Sequence, residues 1–555
     1  WTGATNTDWF DISNWSSNTI PNETNKVFIP FDNINNFPVL TGDLGEAKSI
    51  DISDGATLTI KSGVLKTDSI VANGDGHVVI HHRHDGMSQL FAEVYDEDEG
   101  LASNTSVYRT INGRQWYYVI RGVQEDVAVG SLDGSYLYLE NYDYTTETYA
   151  KTQDIRKFNT DYTGATVAFA PTGEHTFTEQ GTILSLNTPY TYTLGLPSGQ
   201  RLAWHLIGNP YQIALPLPTT EASDVSGETI TNGVFTFGKN VSPGIFFRNY
   251  NTSERKYYTS SYNLVAGLGV GSQAVHSIAE EDAYIAPMKS FFVRDLADGQ
   301  TFSIDPSSVT PDGYETVTLK ANRIRTNVLR LTVSSDNALT DETALVFCNI
   351  GSLSSTNFDT YKRAESAKCN QIYALKGSTR LAIPLMPTTE QIVADAEELP
   401  IGLTMSSGST AGIITCTNIS DFDPSVDVFL TDYQTGEMVN LREQNTYQFA
   451  VDNATINTRF AIVLSNKTEQ LSTAVRSNTK GKVLISGAKS EAIVKLSGNI
   501  DAASCKVRIT DLAGREVKNG MLSGNETHIA LQAQGLYIVE VTDADSVTTR
   551  KILVR

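Results

Sequence analysis

Near its C-terminal end the chain reads Lys506-Val-Arg-Ile-Thr-Asp-Leu-Ala-Gly-Arg-Glu-Val517 and then Gly535-Leu-Tyr-Ile-Val-Glu-Val541. Apolar and polar residues alternate in both stretches, which is the period of a strand with one buried face. Asp511-Leu-Ala-Gly514 fits a tight turn, in which the Asp side chain accepts from the backbone ahead of it and Gly takes a positive φ. The same pattern predicts short strands at 483–485, 492–496, 507–509, 529–531, 536–541 and 552–554. Roughly six or seven such strands suit a small antiparallel, Ig-like sandwich that folds as one unit.

Charge separates this tail from the rest. Residues 480–555 carry 11 Lys/Arg against 8 Asp/Glu, whereas residues 1–479 carry 31 against 55. A mildly basic module therefore follows a strongly acidic body.

The ordered succession Val507-x-Ile509-x-Asp511-x-x-Gly514-x-x-Val517, then Gly535-x-Tyr537-x-x-x-Val541, then Lys551-Ile-Leu-Val554-Arg555 resembles the type A C-terminal sorting domain of Bacteroidota proteins exported by the type IX secretion system. The resemblance covers the tail end to end. It implies passage through the periplasm to the extracellular cell surface, with the secretion machinery and its sortase as partners. It further implies removal of the tail and attachment of the body to surface lipopolysaccharide. Asp511, Gly514, Val517, Gly535, Tyr537, Lys551, Val554 and Arg555 are the residues it assigns to folding or recognition during export. An ordinary Ig-like terminal module is the other reading of these strands. A cleaved product would lack the tail, so an unprocessed precursor or a recombinant chain is expected.

The whole chain has 555 residues, 40% hydrophobic and 19% charged, enough for roughly three to five globular domains. A sequence pI near 4.8 without a clustered basic surface argues against nucleic acid. No apolar run is long enough to span a bilayer as a helix. The first residue is Trp1 with no basic-then-apolar leader after it, so a signal peptide is expected to have been removed or left out. Cys348, Cys369, Cys416 and Cys505 are too sparse for a disulfide scaffold. One pair among the first three could bridge; buried thiols are the other reading.

An all-β, multidomain chain is expected throughout. Residues 1–86 read as a short β-solenoid-like segment with a Trp-rich cap. Ser49-Ile-Asp-Ile-Ser-Asp-Gly-Ala-Thr-Leu-Thr-Ile60 aligns at a 20-residue offset with Ser69-Ile-Val-Ala-Asn-Gly-Asp-Gly-His-Val-Val-Ile80, pairing Ile50 with Ile70, Leu58 with Val78 and Ile60 with Ile80. Two short strands per period is what a solenoid rung requires. Trp1, Trp9 and Trp15 are expected as core and cap, with a sugar-stacking platform as the alternative. This opening resembles N-terminal repeats of other large Bacteroidota surface proteins.

Residues 87–315 read as an antiparallel β domain rich in Tyr, Thr and Gly. Within it, Leu202-Ala-Trp-His-Leu-Ile-Gly-Asn-Pro-Tyr211 is expected as a strand ending in an Asn-Pro turn. Tyr284-Ile-Ala-Pro-Met-Lys-Ser-Phe-Phe-Val293 is expected as one strand with Pro287 at an edge or bulge. Both strings resemble domains found directly upstream of type IX sorting tails under proteins of differing activity, which implies scaffold. Residues 316–465 read as a β-sandwich with a short helical piece at 390–399. Residues 466–479 read as a linker, and 480–555 as the sorting domain.

Catalytic motifs are missing from the sequence: there is no His-Glu-x-x-His, no Gly-x-Ser-x-Gly and no Cys-x-x-Cys. Gly233-Val-Phe-Thr-Phe-Gly-Lys-Asn240 approaches a phosphate loop, but Asn240 replaces the Ser or Thr and the interior reads as strand. Gly267-Leu-Gly-Val-Gly271 lacks the dinucleotide spacing. His82 and His84 could share a metal only if a strand continues through Arg83, and a solvated turn is favoured. Asp96-Glu-Asp98 offers carboxylates to a hard cation but lacks the further ligands of a calcium loop. No cofactor and no catalytic or metal site is therefore assigned. A glycosidase would escape such a search, because its two carboxylates come from distant strands. The leading expectation is a non-enzymatic surface-layer component or adhesin; a carbohydrate-binding surface protein is the alternative, and a secreted glycan hydrolase a third. Glycans and self-association are the partners this leaves open.

Overall fold

The structure, a computed structural model, describes residues 1–83, 88–96, 100–101, 104–125, 129–150, 157–159, 161–197, 199–200, 202–251, 256–271, 284–311, 325–335, 338–363, 369–466, 482–488, 490–497, 501–511, 514–532, 535–543 and 547–554. The fold is all-β and multidomain, 53% strand and 4% helix, opening with a solenoid-like segment of about three turns. Two compact units divide the chain: Trp1–Val428 with Asn440–Asn457 and Ile462–Ser465, and Phe429–Val439 with Thr458–Ala461 and Asn466–Arg555. The strands Val426–Asp432 and Thr455–Asn466 contribute residues to both.

In the first unit the sequence repeat is a stacking register. Ile50 lies beside Ile70 in parallel pairing of Ser49–Ile52 with Val64–Ala72, and Leu58 and Ile60 lie beside Val78 and Ile80 in Thr57–Lys61 and His77–Arg83. All six side chains are buried. Burying each Leu or Ile stabilises by about 1.5–3 kcal/mol, and a one-residue slip would turn the whole set outward. The reversals at Asp54-Gly55 and Asn73-Gly74 use glycines at φ +77° and +54°. Asn73 Nδ2 donates to Asp51 Oδ1 at 2.7 Å, tying one turn to the rung below.

Parallel stacking runs past residue 86. Gln89–Asp96 pairs parallel with Val64–Ala72, and Thr105–Asn112 pairs parallel with His77–Arg83 before an antiparallel partner, Glu174–Gly181, takes its other side. At the other end the three tryptophans form the cap. The Trp15 ring lies edge-on to both Trp1 and Trp9 at 4.9 Å, and Trp15 Nε1 donates to the Trp9 carbonyl at 2.8 Å. Their burial leaves no platform for a sugar.

The following domain is antiparallel, with one sheet in the order Ala203–Gly208, Ser290–Asp295, Gly244–Asn251, Lys256–Asn263, Leu268–Val270. Its core is phenylalanine-rich, with Phe237 stacked on Phe302 at 6.1 Å. The expected strand over 284–293 is broken. Tyr284–Ile285 ends before Pro287-Met288, where Met288 adopts φ +59°, and Ser290–Asp295 resumes. Proline has no N–H for the ladder, and the chain turns instead of bulging.

The third domain packs two sheets. One runs Leu385–Met386, Ala338–Phe347, Val328–Ser335, Ala411–Cys416, Thr446–Ala450; the other includes Thr360–Tyr361, Thr379–Ile383, Gln371–Lys376 and Glu398–Thr404 side by side. The helix is shorter and earlier than expected, Thr389–Ala394, because Thr388 caps it and Leu399 already belongs to a strand. None of the four cysteines is in a disulfide, so the possible bridge is not made. Burial pushes the Cys416 thiol up to about 12. No helix among the described residues is long and apolar enough to cross a membrane. Residues 467–479 of the expected linker lie outside the described residues.

The second unit contains a seven-stranded sandwich. Lys482–Ala488, Glu491–Ser497 and Glu526–Ala530 form one sheet; Glu516–Met521, Lys506–Asp511, Gly535–Thr542 and Val547–Val554 form the other. Val494, Ile509, Val539 and Val541 fill its core.

Candidate functional site

The tail motif converges on one sheet. Asp511 lies opposite Tyr537, Tyr537 opposite Ile552, and Gly535 opposite Val554. Gly514 takes φ +78°, where an L side chain is strained. The turn it allows is closed by the Gly514 N–H donating to the Asp511 carbonyl at 3.0 Å, and the Arg515 N–H donates to Asp511 Oδ1 at 3.0 Å. Tyr537 and Val554 are buried. Val517 is 38% exposed on Glu516–Met521, an edge strand whose six residues are all exposed. Lys551 lies in the last strand opposite Ile538, with its side chain outside the description, as is Arg555. Asp511, Gly514, Gly535, Tyr537 and Val554 thus meet in one turn and sheet, while Val517 faces solvent.

In the first unit, the two scaffold-like strings are stitched together by one amide. Buried Asn209 accepts from the Tyr211 N–H at 3.0 Å and donates to the carbonyls of Ile213 at 2.7 Å and Ile285 at 2.9 Å. The segments around them then plug into the solenoid end. His82 Nε2 meets Gln212 Oε1 at 2.8 Å, Gln212 Nε2 donates to the Gly122 carbonyl at 2.8 Å, and Arg109 Nη1 donates to the Pro287 carbonyl at 2.8 Å. Burial lowers His82 to about 3, so it is a neutral core histidine; His84, its expected metal partner, lies outside the described residues.

Sequence reasoning missed Glu179 in this joint. Its Oε2 accepts from the Gly122 N–H at 2.8 Å, its Oε1 is buried without a hydrogen-bond partner, and burial raises its carboxyl to about 8. The network spans more than a hundred residues of sequence, from His82 to Gln212, and no local spacing announces it.

Several clusters bring catalytic residue types together. Ser135 Oγ lies 2.9 Å and Asp133 Oδ2 2.6 Å from His175, but both approach the same Nδ1, while Nε2 faces the Thr172 carbonyl at 3.1 Å. A relay needs hydroxyl and carboxylate on opposite ring nitrogens. The cluster pins a turn: burial, which would raise the Asp133 pKa, is outweighed by hydrogen bonds from Ser131, Ser135 and His175. His205 Nε2 stands 3.8 Å from Asp295 Oδ2. Burial lowers the imidazole to about 4 and raises the carboxyl to about 7, so both are neutral between those values.

A cleft of about 330 Å³ is lined by Glu221, Asn327, Cys348, Thr389, Glu390 and Asp423 among others. Two of its carboxylates are already engaged. Glu221 Oε1 accepts from Arg325 at 3.0 Å and Asn327 at 2.9 Å, and Asp423 accepts from Ser425 at 2.6 Å and Thr389 at 2.8 Å. Among the described residues no three His, Cys, Asp or Glu side chains group to hold a metal; Glu97 and Asp98 of the acidic run lie outside them.

On Ala203–Gly208, the edge strand of the antiparallel sheet, Trp204 sits opposite Arg294 of the neighbouring strand. The Arg294 guanidinium lies 5.3 Å from the Trp204 ring centre and 4.3 Å from that of Tyr361; Arg363 lies 5.1 Å from Trp204 and 3.9 Å from Phe292. All these side chains except buried Phe292 are half-buried.

No curated protein matches the chain in sequence. Among solved structures, dimeric latent PorU from Porphyromonas gingivalis is 13% identical over 41% of this chain and 29% of its own, with a TM-score of 0.13. The chain thus spans less than a third of PorU's length. β-D-Glucuronidase from Dictyoglomus thermophilum is 10% identical over 78% of this chain and 44% of its own, with a TM-score of 0.12. PorZ, a surface component of the type IX secretion system of P. gingivalis, is 11% identical over 71% and 69%, with a TM-score of 0.12. Similarities this slight carry nothing about activity. Residues 488–555 match the secretion system C-terminal sorting domain, which makes the tail a type IX sorting signal and the chain a protein exported to the cell surface or beyond. Over residues 1–90 and 136–464, more than half its length, the chain belongs to the family described as a domain of unknown function (DUF8693).

Proposed function

We propose that the body is a non-enzymatic adhesin of the bacterial surface. In this reading the secretion system's sortase removes the sorting domain and the body is attached to surface lipopolysaccharide. The observation that supports it is where the polar chemistry goes: His82, Arg109, Glu179, Asn209 and Gln212 are buried in the joint between β-modules. Groups tied in this way set geometry and rigidity. A rigid stack of modules also suits a surface layer. Electron microscopy of the purified chain freed of its tail separates the two: dispersed particles fit the adhesin, and an ordered lattice replaces it with a surface-layer role.

A carbohydrate ligand is favoured by the half-buried rim of Trp204, Tyr361, Arg294 and Arg363. A glycan hydrolase would have to work with carboxylates such as Glu390 and Asp423 in the cleft. Glycan turnover by the purified chain, lost on Glu390→Gln or Asp423→Asn, would overturn the non-enzymatic reading.

A further inference from the structure

We propose that Arg294, Arg363, Trp204 and Tyr361 form a binding site for an acidic sugar, in which the two guanidinium groups take a uronate carboxylate and the aromatic rim packs on the C–H face of the ring. The inference deepens the adhesive reading and rests on it for its biological setting. Its first support is convergence. The side chains come from the strands Ala203–Gly208 and Ser290–Asp295 and from the segment around Thr360–Tyr361, and both cations approach one indole.

The second support is the missing counter-charge. Neither arginine makes an ion pair with a carboxylate among the described residues, in a chain with 63 acidic residues against 42 basic ones. Arg294 Nε is buried with no hydrogen-bond partner. Glu147 is near enough to act on Arg294 through its charge and makes no pair with it. Two like charges gathered at a half-buried rim repel each other, and an anion seated between them relieves the repulsion where screening by water is reduced. Burial also lowers the Arg294 pKa, with Tyr361 and Glu147 acting in the opposite direction.

The third support is shape. A guanidinium presents a planar fork that matches a carboxylate with two parallel hydrogen bonds. Trp and Tyr offer flat apolar surface with a polar edge, suited to a ring that is apolar on one face and hydroxylated around its rim. A polyanion of high charge density, such as nucleic acid, is disfavoured by the chain's net charge of −21.

The test is titration of the full chain with trigalacturonate, its methyl ester and sodium sulfate, followed by calorimetry and tryptophan fluorescence. Trigalacturonate should bind, and the ester should bind at least about tenfold more weakly because it lacks the charge the fork reads. Arg363→Gln and Arg294→Gln should each cost a similar factor with an unchanged melting temperature, and Arg363→Lys should fall between wild type and Arg363→Gln. Equal affinity for acid and ester, sulfate binding as tightly as the trisaccharide, or arginine variants that bind like wild type would each overturn the proposal. Surface display and lattice formation are read separately, so failure here leaves the adhesive reading standing with another ligand.

Discussion

The N-terminal stack and the C-terminal sandwich are both β-structure, yet their register is set by different means. In the stack, each rung is placed by the rung below it, Ile70 on Ile50 and Ile80 on Ile60. In the sandwich, it is placed by local turns, above all Asp511 to Gly514 with its positive φ. The stack therefore passes an error along to its neighbours, whereas the sandwich confines it to one hairpin. The stack is also fastened at its end by buried polar bonds, whereas the sandwich rests on a small core of its own.

Perturbations of decreasing size would break or sharpen this contrast. Removing residues 480–555 should abolish surface display while leaving the melting transition of the body in place; immunolabelling of intact cells and calorimetry read the two halves, and undiminished display would remove the export role of the tail. Ile60→Ala should destabilise the first unit by about 3 kcal/mol, since it opens a cavity between rungs. Denaturant melts should show that loss in the body transition alone, and a shift in the tail transition would mean the two are coupled.

Glu179 gives a pH test. Folded, it keeps its proton up to about pH 8, whereas the unfolded chain loses it near 4.5, so its contribution makes stability fall as pH rises between those values. Glu179→Gln should therefore stabilise the body by on the order of 4 kcal/mol at pH 8 and by little at pH 4.5, and a gain independent of pH would mean the carboxyl is ionised in the fold. Smallest of all, Gly514→Ala should cost about 1–2 kcal/mol through its forced positive φ, with the effect confined to the sorting domain. Hydrogen exchange across the strand Lys506–Asp511 would reveal it; protection unchanged from wild type would show that the turn relaxes.

The same contrast explains what could be read ahead of the structure. The solenoid was legible because its register equals a sequence offset, and the sandwich because Asp511-x-x-Gly514 is a local turn. The next rung was not, because its offset grows from 20 residues to 27 between His77–Arg83 and Thr105–Asn112. The break at Pro287-Met288 was hidden, because a proline in an apolar run signals an edge as readily as a turn. Of the rim, only Trp204 stood out, and its partners Arg294, on a strand, and Arg363, on the segment after Thr360–Tyr361, lie far away in sequence. Arg109 and Glu179 gave no local signal, since each sits singly in a strand and gains meaning only from its neighbours in space.

The four thiols turn this architecture into its own clock. Cys369 and Cys416 are sealed in the core of the third domain and Cys505 in the core of the sorting sandwich, while Cys348 is half-buried. A thiol reagent can reach the sealed three only when their surroundings open. Peptide-resolved labelling rates would then time the opening of the cargo and of its address label independently, in an unmodified chain.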